Sequence, residues 1–125
     1  MLLGIDYGLK RVGVAVSDQR GAVAFPRDTF SNDKALLGRL SSLIQKEHIT
    51  AVVIGDSRNA KGDDNPINSE AKKFGKDLQH LISIPIFFEP EFYTSAEARQ
   101  HTGKKVVDAE AAAIILNSYI TRNTP

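Results

Sequence analysis

The chain has 125 residues, 42% of them hydrophobic, and its 16 basic and 15 acidic side chains leave a net charge of +1. That size and apolar content suit one domain, 1–125, with a proper core, and argue against disorder. The sequence lacks the ~18-residue apolar run of a membrane span, a leader-like start and any cysteine, so no membrane attachment, no disulfide and a cytoplasmic setting are expected.

Taken in order, Leu2 to Asp6 reads as a short strand, Tyr7 to Lys10 as a turn and Val12 to Val16 as a second strand. Gly21 to Pro26 is a third strand, ended by its proline. The period then changes: Leu36, Leu37, Leu40, Leu43 and Ile44 follow helical spacing, with Ser31, Asn32 or Asp33 available as the cap. Ala51 to Gly55 is a continuous apolar run, the pattern of a strand buried on both faces. A polar loop, Asp56 to Asn68, leads to a second helix marked by Ala71, Phe74, Leu78, Leu81 and Ile82. Ile84 to Phe88 is a fifth strand. Thr94 with Glu97 forms a capping box for a short helix that stops near Gly103, and Asp108 to Ile120 is the last helix.

Three strands joined by tight turns make an antiparallel meander, while strands four and five arrive through helices and so run parallel to the first. The expected fold is α/β: a five-stranded mixed sheet, order 3-2-1-4-5, with helices on both faces. Sites in such sheets form beyond the carboxyl ends of the parallel strands. Acids cluster there in the sequence: Asp6, Asp56, Glu89 and Glu91, with Asp108 opening the last helix. A turn acid is the plain alternative for Asp6, but a charge beside a central strand is costly to bury unpaired, which favours function there; for Asp108 a helix cap is as good a reading.

The run from Gly4-Ile5-Asp6-Tyr7-Gly8 through Val12-Gly13-Val14-Ala15-Val16-Ser17-Asp18 resembles the N-terminal signature of the YqgF/RuvX family, RNase H-like nucleases related to Holliday junction resolvases. The resemblance continues through Val52 to Gly55, Asn59, Gly62, Glu91, Thr94 to Ala98 and Val107 to Leu116, covering nearly the whole chain. It implies an RNase H-like fold and a metal-dependent nuclease that processes the 5′ end of the small-subunit ribosomal RNA precursor or cleaves branched DNA. By motif match the implied catalytic and metal-binding triad is Asp6, Glu91 and Asp108, holding Mg²⁺ or Mn²⁺. The chemistry agrees, because two-metal phosphodiester cleavage needs carboxylates that converge from separate elements.

Two departures from the family pattern stand out. Pro90-Glu91-Phe92 replaces the usual Asp-Glu-Arg, and Asp56-Ser57 follows Gly55 where Leu-Pro is usual. With strand four beside strand one, Asp56 would sit ~5 Å from Asp6 across the sheet and strand five ~10 Å away. Asp56 is therefore a further candidate, able to supplement or replace Glu91. Lys10, Arg11, Arg58, Lys61, Lys104 and Lys105 are the candidates for phosphate contact. Lys72, Lys73 and Lys76 read better as a solvated helix face, and His48, His80 and His101 show no ligand spacing. The main alternative is a catalytically weak nucleic-acid-binding module within a larger assembly. A monomer or weak homodimer is the expectation, and with no long exposed apolar helix face the sequence does not fix the oligomeric state.

Overall fold

Alternation in the first two strands sets the two faces of the sheet, and everything that positions the site follows from it. The computed structural model describes residues 1–56, 66–90 and 108–123. Strand β1 (Leu2–Asp6) pairs antiparallel with β2 (Arg11–Ser17), Ile5 opposite Val14 and Asp6 opposite Gly13. Strand β3 (Ala24–Ser31) continues the meander, while β4 (Ala51–Asp56) runs parallel to β1 and β5 (Ile86–Pro90) parallel to β4. The order β3-β2-β1-β4-β5 is the one expected from the sequence.

Leu3, Ile5, Val12, Val14, Val52 and Ile54 point to one face, beneath helices α1 (Leu36–Lys46) and α2 (Pro66–Leu81). The other face carries Ala15, Ala24 and Val53 and is covered by α3 (Asp108–Arg122), through Ala112, Ala113, Ile115, Leu116 and Ile120. The alanines of α3 let its backbone lie close to the sheet. Among the described residues, no helix is long and apolar enough to cross a membrane.

Several boundaries differ from the sequence reading. Strand β3 runs on to Ser31 with Pro26 inside it, paired with Ala15 at a register shift. An edge strand beside a bulge can absorb a residue with no N–H. No side chain caps α1; Asp33 instead accepts a bond from the Ala35 N–H, and Ser31 is spent in β3. Helix α2 begins at Pro66, within the stretch read as loop, because proline suits the first helical position. The short helix expected from Thr94 lies outside the described residues.

Strand β5 is shifted two residues along, which moves Glu89 from the end of the strand into it. There Glu89 is buried, its two carboxylate oxygens accepting bonds from Ser118 Oγ (2.9 Å) and Arg122 Nη1 (3.0 Å) at the far end of α3. Glu89 is thus a structural acid that ties β5 to α3. Removing the exposed arginine would leave the buried Glu89 carboxylate a stranded charge. Arg122→Ala should lower the unfolding free energy in urea by about 1–3 kcal/mol, and adding Glu89→Gln should recover most of that loss.

Candidate active site

Two glycines bring the last helix down onto the sheet. A Cβ at Gly4 would lie 2.8 Å from Leu116 Cβ and 2.9 Å from the Ala112 carbonyl oxygen. At Gly13 it would lie 2.0 Å from the Asp108 carbonyl oxygen. Only glycine leaves room for such an approach of backbone to backbone. Because Asp6 is the register partner of Gly13, the first residue of α3 arrives beside the end of β1. Asp6 shares its face with Gly4 and so with α3.

The electrostatics report the same proximity. The Asp6 carboxyl is pushed up from 3.8 to about 6, first by burial and then by the negative charge of Asp108. Asp108 is itself partly screened: Arg11 Nε donates to its Oδ2 at 2.9 Å. The Arg11 side chain remains 55% exposed. Asp108 also sits in the first helical turn, where a carboxylate suits the helix dipole.

The turn between β1 and β2 is fastened from β3. Asn32 Nδ2 donates to the Gly8 carbonyl at 2.8 Å, and the Asn32 N–H donates to the Lys10 carbonyl at 2.9 Å. Asn32, read from the sequence as a helix cap, therefore holds the turn that presents Lys10 and Arg11. Nothing local in the sequence signals this, since the contact spans more than twenty residues. Tyr7, which opens the turn, packs on Phe74 with ring centroids 5.0 Å apart.

The remaining candidates fall elsewhere. Glu91, Arg58, Lys61, Lys104 and Lys105 lie outside the described residues, as does His101. Asp56 ends β4, but Ile5 is opposite Ile54, so the position beside Asp6 is Gly55 and Asp56 is one residue further on. Lys73 and Lys76 are exposed on α2, as a solvated face requires, and His48 and His80 are exposed too. Among the described residues no group of three or more acids or histidines is arranged to hold a metal, and Asp6 and Asp108 are the acids that come together.

A five-stranded mixed sheet of this order, helices on both faces and paired acids at the end of its first strand define a protein of the RNase H-like class. The likeness extends to a solved structure: Thermus thermophilus RuvC in complex with Holliday junction substrate matches with a TM-score of 0.62 over 97% of this chain and 93% of that one, at 14% identity, a likeness of fold. A family model described as RuvX, Holliday junction resolvase, matches residues 1–122, and the chain belongs to that family. Relatives that carry the name "Putative pre-16S rRNA nuclease" include those of Sulfurihydrogenibium sp., 33% identical over 97% of this chain and 90% of theirs, and Streptococcus pyogenes serotype M1, 32% identical over 98% of each.

Proposed function

We propose that this protein is a metal-dependent nuclease acting on structured nucleic acid in the cytoplasm, with the 5′ end of the small-subunit ribosomal RNA precursor as its substrate. The observation that carries this reading is the convergence of Asp6 and Asp108, from β1 and α3, on one face of the sheet. The reading draws its substrate from the names of the relatives, the 5′ end from the family resemblance in the sequence, and its chemistry from the site.

The acids present suit a hard divalent cation in kind, since Mg²⁺ and Mn²⁺ take carboxylate oxygens. The elevated pKa of Asp6 is that of a carboxylate short of counter-charge. Asp6 and Asp108 would hold the ion, with Glu91 as third carboxylate; Asp56, one residue past the position level with Asp6, is set aside. Bound there, it would activate a water and stabilise the leaving oxygen. Arg11 orients the Asp108 carboxylate and, with Lys10, offers positive charge to a phosphate at the same turn.

The test is cleavage of structured RNA and of branched DNA in Mn²⁺ and in chelator, run beside thermal unfolding. Saturating Mn²⁺ should raise the melting temperature of the wild type by roughly 3–10 °C. Asp108→Asn should abolish both that rise and cleavage. A wild type that binds nucleic acid yet neither cleaves it nor responds to Mn²⁺ would establish the alternative, a binding module without catalysis.

A further inference from the structure

On the opposite face from Asp6, helix α1 stops short of the edge strand β3 and leaves a groove of about 680 Å³ between them. Its apolar surface comes from Phe30, Ala35 and Leu43, and Gly38 opens its wall. A Cβ at Gly38 would meet nothing within 4 Å. Four cations, Arg27, Lys34, Arg39 and Lys46, line the groove against one acid, Asp28. Arg27 is paired with Glu47 and Arg39 with Asp33, both as exposed ion pairs. Such pairs are worth little and exchange readily for another anion. Lys34 and Lys46 have no carboxylate partner among the described residues.

We infer that this groove holds an unpaired RNA strand leading away from the candidate active site. Charge and continuity both support that occupant. The cations are spread from Lys34 to Lys46, roughly 18 Å along the helix direction, a span suited to a few nucleotides of single strand. The Lys34 end lies just past Asn32, which is bonded to the turn carrying Lys10 and Arg11. The apolar floor selects for single strand, since only unpaired bases expose a face to lie on it. The inference rests on the nuclease reading for the direction of the strand, but binding in the groove can be measured without cleavage.

The probe is a labelled, unstructured RNA of ~12 nucleotides, titrated in chelator. Gly38→Leu fills the groove from its open wall and exchanges a helical glycine for a strong helix former, so it should melt no lower than wild type. It should weaken RNA binding at least about 5-fold through lost backbone and stacking contacts. Lys34→Ala with Lys46→Ala should lower the slope of log affinity against log salt by about 1.4, two single-strand phosphate contacts. Unchanged affinity and slope in these variants would overturn the groove, whatever the wild type cleaves. Should a glutamate- and leucine-rich peptide be displaced by Gly38→Leu while RNA is not, the groove takes a protein and the inference fails. Loss of RNA binding in Gly38→Leu, from a protein that cleaves nothing, would uphold the groove and remove the nuclease.

Discussion

Asp6→Asn should make the protein more stable at neutral pH while destroying its activity. Asp6 holds its proton up to about pH 6 in the folded state, against 3.8 ordinarily. Below that lower value the carboxyl is protonated folded or unfolded, and position 6 costs nothing. Between the two values the folded state binds the extra proton, so stability falls as pH rises, and above pH 6 the full penalty is present. A shift of this size corresponds to at most about 3 kcal/mol, less whatever solvent screens at a partly exposed site. Asparagine keeps the shape and removes the charge. Urea unfolding in chelator should show Asp6→Asn more stable by about 1–3 kcal/mol at about pH 7.5, with the gain mostly lost by about pH 4 and gone by about pH 3. Cleavage in Mn²⁺ should drop by about 10³-fold or more, as expected when several kcal/mol of transition-state stabilisation are lost. An equal stability change at both pH values would show that Asp6 is not carrying a buried charge, and retained cleavage would remove it from the chemistry.

Gly13→Ala should do more damage than the same methyl at Gly4, the other glycine on which α3 is seated. The added carbon has no place to go, because the carbonyl of Asp108 occupies its position. Either β2 or the start of α3 must move, and overpacking of this kind costs about 1–3 kcal/mol or more. The same shift carries Asp108 away from Asp6, so the Asp6 carboxyl should titrate closer to its ordinary value when followed by NMR. The melting-temperature rise with Mn²⁺ should shrink in parallel. Gly38→Ala is the matched control: its methyl enters open space, and the helix gains about 0.5–1 kcal/mol. If Gly13→Ala unfolds like wild type and leaves the Asp6 titration unmoved, the close seat of α3 is not what brings the two acids together.

Periodicity alone determined most of the architecture of this protein. The shift from alternation to helical spacing after Ser31, the buried run at Ala51 and the alanine-rich last helix are one-dimensional signals, and they dictate the strand order through the geometry of crossovers. Asp6 and Asp108 were legible for a related reason, as acids at an element's end and an element's start. Tertiary structure decided what each remaining acid does. Glu89 and Asp6 both stand on strands of the same sheet, yet one meets Ser118 and Arg122 and the other meets Asp108. Pro26 reads as a stop until the edge of the sheet supplies a place where its missing N–H is not needed. Asn32 and Gly13 act through contacts with turns and helices distant in sequence, and the physical reason is common to all of them. Local propensity records what a residue does to its own backbone, whereas a hydrogen bond across the fold or a forbidden methyl exists only once two separate elements have packed.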